Sequence, residues 1–289
     1  MTVVDAHLHL FESVSDQYPR DVFPGLTPPE RRAPMDEYFG YMERAGVDRS
    51  VIVAISHHDE YVRDVVATRP DLFAIVGVQD VSASDQLANY TERRQATPFQ
   101  GFRLFNLDAD PSQAADRIEM FPVLRRMAAD GVKLWFYSTE EQVLLLDRVL
   151  ELLPDLSVVI NHLGFCPSIW DEIRADEWGR PRFTMDLPSA SLKTLEAIAA
   201  RPNVYVHLSG QYAFTRQPYP HPDLQSTVEA VYGMFGADRM MWASDYPWIA
   251  VEPGYPEQLA LVDHYLPDIS AAERDAIRGG TAMRLFDFQ

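Results

Sequence analysis

The chain has 289 residues, of which 47% are hydrophobic and 24% are charged, a composition typical of a globular protein with a sizeable core. A formal net charge of −18 argues against a nucleic-acid partner, because phosphate binding needs a concentrated basic surface. No apolar run approaches the roughly 18 residues of a membrane span, and no basic leader precedes the first strand pattern. With one cysteine and hence no internal disulfide, we expect a cytoplasmic protein without a membrane partner.

Eight short runs of β-forming residues follow one another along the chain, and each ends in a polar or small residue. The predicted strands are Val3–Leu10, Ser50–Ile55, Leu72–Gln79, Gly101–Phe105, Val132–Tyr137, Ser157–His162, Val204–Ser209 and Met240–Ser244. Helices are predicted between most of these strands, at Met35–Ala45, Asp85–Gln95, Met120–Ala129, Glu140–Leu153, Leu192–Ala200, Leu224–Phe235 and Glu257–Tyr265.

Strands that alternate with helices indicate right-handed βαβ units and a parallel sheet. Eight such units without a Gly-rich phosphate turn favour a closed (β/α)8 TIM barrel over an open doubly wound sheet. We therefore predict an α/β protein in which residues 1–289 form a single barrel domain, with Ala271–Phe286 as a closing helix on the outside.

The connections that leave the predicted strands include long loops, at Phe11–Pro34, Gly164–Pro188, Gly210–Pro222 and Tyr246–Pro256. Loops at the C-terminal face of the strands build the active site of a barrel enzyme. These loops carry aromatic side chains that we expect to wall or cover a pocket, with ordinary packing among the loops as the alternative for each. They are Tyr18, Phe23, Trp170, Trp178, Tyr212, Phe214, Tyr219 and Trp248.

Three predicted strands end in polar groups that suit a metal site. His7 and His9 lie two residues apart on the first strand, so their side chains project from the same face. The sixth strand ends at His162 and the eighth is followed by Asp245. Three histidines and one aspartate at the same rim form a nitrogen and oxygen ligand set suited to Zn²⁺ or a similar divalent ion.

The segments Asp5-Ala-His-Leu-His, Asn161-His-Leu-Gly and Trp242-Ala-Ser-Asp-Tyr-Pro-Trp resemble the amidohydrolase superfamily, specifically its amidohydrolase-2 branch. The resemblance spans nearly the whole chain. That branch includes lactonases, acting on pyrone dicarboxylate and on sugar lactones, and non-oxidative decarboxylases. The segments Ile55–Asp80 and Tyr205–Gly210 resemble the lactonase subgroup more than the decarboxylases.

The resemblance implies that His7, His9, His162 and Asp245 are the catalytic residues and the metal ligands, with Asp245 as the catalytic aspartate. Binuclear members supply a bridging lysine or glutamate from a middle strand, whereas Lys133 lies too near the start of its strand to serve. We therefore expect one divalent ion, Zn²⁺ before others. Some lactonases of this branch work without metal and use the same histidines as hydrogen-bond donors, so metal-independent catalysis stays open.

Five further residues are candidates for binding the substrate. Arg103 could hold a carboxylate, Tyr137 could donate to a substrate oxygen, and Trp248 could form part of the pocket wall. His207 faces the same way as Tyr205 and Ser209 and could reach the site, but a buried structural histidine fits the pattern equally well. His57 follows the second strand. It could support the site residues, but a solvated position at the start of a helix fits the sequence equally well.

Together these residues predict a hydrolase that opens a lactone, ester or amide of a small, carboxylated molecule. Water would be activated by the histidine cluster with its ion and by Asp245. The alternative is a metal-dependent non-oxidative decarboxylase of the same superfamily. The expected partner is a small-molecule substrate, and a homo-oligomer is possible.

Overall fold

The computed structural model describes residues 2–166 and 173–288, and its main sheet confirms the predicted barrel. Eight parallel strands follow one another around the sheet in chain order. They are β1 (Val4–Leu8), β2 (Arg49–Val53), β3 (Phe73–Val78), β4 (Gly101–Leu104), β5 (Lys133–Phe136), β6 (Val158–Ile160), β7 (Val204–Leu208) and β8 (Met240–Trp242).

Helices cover the outside of the barrel between the strands. They are α1 (Met35–Ala45), α2 (Glu60–Thr68), α3 (Gln86–Ala96), α4 (Phe121–Asp130), α5 (Glu140–Leu152), α6 (Ser191–Ala199), α7 (Gln225–Phe235) and α8 (Tyr255–Tyr265). The helix α2 was not predicted, although its buried Val62, Val65 and Val66 have helical spacing. Within the ranges the structure describes, every helix is too short or too polar to cross a bilayer.

Several strands end earlier than the sequence predicts. As a result, His162 and Asp245 lie in the turns that follow their strands. The sixth strand stops at Ile160 and the eighth at Trp242, because the backbone turns sharply soon after each. His162 has φ of 50° and Asp245 has φ of 62°, a left-handed conformation that is uncommon for residues with a side chain. Such backbone conformations concentrate at functional sites.

The seam between β8 and β1 is closed just beyond the strands. The Asp245 amide donates to the His7 carbonyl at 2.9 Å, and the His9 amide donates to the Tyr246 carbonyl at 2.7 Å. These two bonds continue the parallel ladder around the barrel. Closure of the barrel and placement of the candidate catalytic residues therefore depend on the same backbone atoms.

The segment predicted as an outer closing helix lies across the N-terminal end of the barrel instead. It consists of three short helical pieces, Ala271–Asp275, Ala276–Gly280 and Thr281–Leu285. A Cβ on Gly279 would lie 2.0 Å from the Thr2 carbonyl oxygen, so only glycine permits this approach to the start of β1. The Phe286 ring then packs edge-on against Trp135, with 5.6 Å between the ring centroids.

Candidate active site

His7, His9 and Asp245 meet at the C-terminal end of the barrel. The Asp245 Oδ1 atom lies 3.6 Å from the Nε2 atoms of both histidines, and these two Nε2 atoms are 3.3 Å apart. All three side chains are nearly or fully buried. Each offers one ligand atom within 4.8 Å of the others, the spacing of a group that could hold a metal ion.

His162 approaches the same aspartate from β6. Its Nδ1 lies 2.9 Å from the Ser209 Oγ and 3.9 Å from the Asp245 Oδ2. A Cβ on Gly210, which has φ of 75°, would lie within 3 Å of the His162 ring, so only glycine fits beside it. The Leu208-Ser209-Gly210 sequence is thus explained as the support of His162. Burial in particular lowers the pKa of His162 to about 4, so this imidazole is neutral at pH 7.

The Asp245 carboxylate is ionised in this environment. Burial alone would raise its pKa, but the neighbouring His162 and His9 and a hydrogen bond from Tyr212 outweigh burial and lower the pKa to about 2. The Tyr212 hydroxyl donates to Oδ2 at 2.7 Å, whereas Oδ1 has no hydrogen-bond partner among the described residues. Tyr212 therefore fixes one oxygen of the Asp245 carboxylate, and the other oxygen, Oδ1, is available to accept a proton or a hydrogen bond.

A second buried carboxylate lies beneath this site and connects β1 to β8. Asp5 accepts hydrogen bonds from the Ser244 amide at 2.8 Å, from the Tyr255 hydroxyl at 2.5 Å and from the His7 amide at 3.3 Å. Burial raises its pKa to about 6 despite these donors. His7 belongs to the site, and Ser244 directly precedes Asp245. The hydrogen bonds of Asp5 to their amides therefore fix the backbone that carries these two catalytic candidates.

The hydrogen bonds of His7 and His9 assign their protons. The Trp135 indole Nε1 can only donate, and it lies 2.9 Å from the His7 Nδ1. Burial lowers the pKa of His7 well below its usual value, so His7 is neutral and carries its single proton on Nε2. The His9 Nδ1 faces the Val53 carbonyl at 2.9 Å and must donate to it. The His7 Nε2–H can then donate to the His9 Nε2 lone pair, which completes a consistent chain.

The positions of these protons determine whether His7, His9 and Asp245 can act together as ligands of a metal ion. A ligating histidine presents a lone pair and usually donates its other N–H to a carbonyl or carboxylate. His9 and Asp245 meet these requirements. His7 does not, because freeing its Nε2 would put a proton on Nδ1, directly opposite the Trp135 N–H. The residues therefore do not fit a zinc centre that uses both first-strand histidines.

A cavity of about 310 Å³ opens above Asp245, a volume suited to a small molecule. Its polar lining includes His9, Arg103, Tyr137, His162 and Tyr212. Most of its wall is apolar, formed by Phe23, Pro24, Leu26, Ile55, Phe105, Ile173, Pro181, Phe183, Ala213, Phe214 and Trp248.

Arg103 is the cation of this cavity. Burial lowers the pKa of its guanidinium, which the Asp245 charge partly offsets. Among the described residues no carboxylate lies within salt-bridge distance of Arg103, and its Nε has no hydrogen-bond partner. The guanidinium lies 5.1 Å from the centroid of the Phe105 ring and 5.8 Å from that of the Tyr137 ring, and no carboxylate of the described residues neutralises it, so it can pair with an anion brought by a ligand.

The remaining predicted residues divide into two groups. Tyr137 and Trp248 line the cavity together with Arg103, as do the loop aromatics Phe23, Tyr212 and Phe214. His207 lies below the cavity, with its ring centroid 5.4 Å from that of His7. His57 lies at the rim of the barrel, 3.5 Å from a carboxylate oxygen of Asp21. Trp170 lies outside the described residues.

Sequence reasoning missed the role of Trp135 and that of Tyr212 as a donor to Asp245. The alternation of β5 could have placed Trp135 inside the barrel, since Arg103 pairs with it across the sheet. The single cysteine, Cys166, is a poor candidate for a nucleophile. Burial raises the pKa of its thiol to about 12, so the reactive thiolate is scarce.

Comparisons with known proteins identify the family of the chain. Residues 4–288 match the sequence model of the amidohydrolase family. The L-fucono-1,5-lactonase of Burkholderia ambifaria is 27% identical over 256 residues, which cover 84% of this chain and 80% of that enzyme. The 4-sulfomuconolactone hydrolase of Rhizobium radiobacter is 24% identical over 299 residues, covering 98% and 89%. An amidohydrolase from Burkholderia multivorans, crystallised with bound zinc, superposes with a TM-score of 0.75 at 23% identity over 99% of both chains.

Proposed function

Because the chain belongs to the amidohydrolase family of hydrolases, we propose that it opens the ring of a small lactone that carries a carboxylate. The observation that carries this proposal is the pairing of two unlike charges in one largely apolar cavity. The ionised Asp245 can activate water, and Arg103, which forms no ion pair among the described residues, can anchor an anionic substrate. The two relatives that act on lactones support the reaction class.

The proposed chemistry uses the side chains alone. Asp245 accepts a proton from water as the water oxygen bonds to the lactone carbonyl carbon. Negative charge develops on the carbonyl oxygen, where His162 can donate from Nε2 while its Nδ1 accepts from Ser209. When the ring C–O bond breaks, Asp245 returns the proton to the leaving oxygen. The Nε2 atoms of His7 and His9 lie 3.6 Å from the Asp245 Oδ1, and no step passes through a metal ion.

The apolar walls of the cavity limit which lactones can bind. A sugar lactone carries a hydroxyl on most carbons, and burying those groups against Phe105, Phe183 and Phe214 would leave them without hydrogen bonds. A carboxylated lactone with a hydrocarbon body matches one cation and an apolar wall. We therefore expect this class to be cleaved in preference to neutral sugar lactones.

A substrate panel tests the proposed function. Purified protein is given a carboxylated muconolactone, a neutral sugar lactone and an aromatic carboxylic acid, with proton release and CO₂ measured in parallel. We expect one proton per opened ring, fastest for the carboxylated lactone, and no CO₂. Stoichiometric CO₂ from the aromatic acid, without ring opening, would replace the hydrolase with the decarboxylase alternative.

Trp135 provides a separate test of whether this site holds a metal ion. Trp135→Phe keeps an aromatic side chain but removes the N–H, so His7 can carry its proton on Nδ1 and present a lone pair at Nε2. We expect the affinity for Zn²⁺ at this site to increase by roughly 10- to 100-fold, the usual scale of changes in the groups that orient metal ligands. Titration calorimetry measures the binding, and the added binding should disappear when Asp245→Asn is combined with Trp135→Phe.

Trp242→Phe is the matched control, because the Trp242 indole donates to the Gln258 carbonyl at 3.1 Å, away from His7. Removal of that N–H should leave zinc affinity unchanged. If the unmodified protein already binds zinc tightly through Asp245, and Trp135→Phe makes no difference, the proton assignment for His7 is wrong.

A further inference from the structure

Two histidines and an aspartate form a separate cluster at the rim of the barrel. Asp21 belongs to the loop after β1, and His57 and His58 belong to the loop after β2. The His57 Nδ1 lies 3.5 Å from the Asp21 Oδ2, and the two imidazole rings are 4.1 Å apart. One potential ligand atom from each of the three residues lies within 4.8 Å of the others.

We propose that this cluster, Asp21 with His57 and His58, binds a divalent transition-metal ion such as Zn²⁺ or Ni²⁺. Two imidazole nitrogens and one carboxylate oxygen are the donor types that these ions prefer. The side chains of Asp21 and His57 are 49% and 29% exposed, so water can reach the ion and complete its coordination. The cluster is distinct from the catalytic candidates and takes no part in the proposed hydrolysis.

The backbone that carries the cluster is already held in position. The buried Arg20, next to Asp21, donates hydrogen bonds to the carbonyls of Glu12, Thr27 and Arg31 and so ties the loop together. The Asp21 amide donates to the Ser56 hydroxyl at 3.3 Å, which joins this loop to the end of β2. Binding therefore requires mainly side-chain adjustment, which limits its entropic cost.

The surrounding charge also favours a cation here. Among the described residues no hydrogen bond occupies the Nε2 atoms of His57 and His58, in contrast to His7, whose Nδ1 accepts from Trp135. Asp80, which interacts electrostatically with His57, adds a second negative charge nearby. No arginine or lysine forms an ion pair with Asp21 among the residues the structure describes.

An ion at this cluster would connect two walls of the cavity. The loop that carries Asp21 continues into Phe23, Leu26 and Thr27, all of which line the cavity, and Ile55 lines it from the other side of the cluster. The ion would bridge the loop after β1 to the loop after β2. The proposed role is to hold the mouth of the cavity in one arrangement.

Calorimetric titration with ZnCl₂ and NiCl₂, after removal of bound metal with a chelator, tests the site. We expect one equivalent to bind to the full chain, with affinity reduced at least 10-fold by His57→Ala and by Asp21→Asn, as expected when a ligand is lost. Asp245→Asn should leave this binding unchanged, which separates the rim cluster from the barrel cluster. His264→Ala, at an exposed histidine beside Tyr219, is the matched control and should also bind normally.

Two results would overturn the proposal. One is the absence of measurable binding to the unmodified chain. The other is binding that survives both His57→Ala and Asp21→Asn but is lost in Asp245→Asn, which would assign the ion to the barrel cluster. Circular dichroism melting of each variant confirms that it is folded, and because both substituted side chains are partly exposed, we expect the variants to fold normally.

Discussion

Asp245→Asn is expected to lower kcat by about 100-fold or more, the usual scale for loss of a general base. Asparagine keeps the size of the side chain and can still accept the Tyr212 hydrogen bond at one oxygen. It cannot take a proton from water. Steady-state kinetics on the best lactone of the panel measures the effect, and KM should change much less than kcat.

Tyr212→Phe is the matched control for this prediction. It removes the hydroxyl that donates to Oδ2 but leaves the carboxylate in place. We expect a much smaller decrease in kcat than in Asp245→Asn, because the carboxylate can still accept the proton. Near-normal turnover of a folded Asp245→Asn variant would remove Asp245 from the mechanism.

Arg103→Met should reduce kcat/KM for a carboxylated lactone by roughly 100-fold, because a charged hydrogen-bonded contact is worth about 1.5–3 kcal/mol. The effect should appear mainly in KM. The methyl ester of the same lactone has no anion to lose, so its kcat/KM should change little. Equal losses for the acid and the ester would show that Arg103 does not recognise the carboxylate.

The same substitution should not destabilise the protein, and this separates binding from structure. Arg103 is half-buried without an ion-pair partner among the described residues, so an apolar side chain there removes a desolvation cost that only its contacts with the Phe105 and Tyr137 rings offset. Arg180 provides the contrast, because it is more deeply buried and is paired with Asp176 at 2.8 Å and with Glu252. We expect Arg180→Met to lower the melting temperature, and Arg103→Met to leave it unchanged or to raise it.

The fold could be predicted because each strand and most helices carry their own local pattern. Eight apolar runs and the helices between them required a parallel barrel, and the polar residues at the run ends marked its active rim. The short α2 was missed because two turns with three buried valines give a weak periodic signal. The convergence of His7, His9, His162 and Asp245 followed from strand order alone.

One sequence does not predict which histidine nitrogens carry protons, or how deep each side chain lies within the barrel. Whether Trp135 reaches His7 depends on how far each strand is staggered around the sheet, and alternation along one strand does not contain that information. The same stagger puts His207 below the cavity rather than on its wall. Three of the four predicted metal ligands, His7, His9 and Asp245, offer ligand atoms within 4.8 Å of one another, but a neighbour on another strand determines which nitrogen of His7 carries the proton.

The seam between β8 and β1 links ligand occupancy to resistance against unfolding. The amides of Asp245 and His9 close the barrel, and their side chains face the ligand, so a bound molecule restrains the place where the sheet would open. By mass action, a ligand at 100 times its Kd adds about 2.7 kcal/mol to the free energy of unfolding. Hydrogen exchange at these two amides should slow accordingly, which makes the seam an internal reporter of occupancy even for compounds that are never turned over.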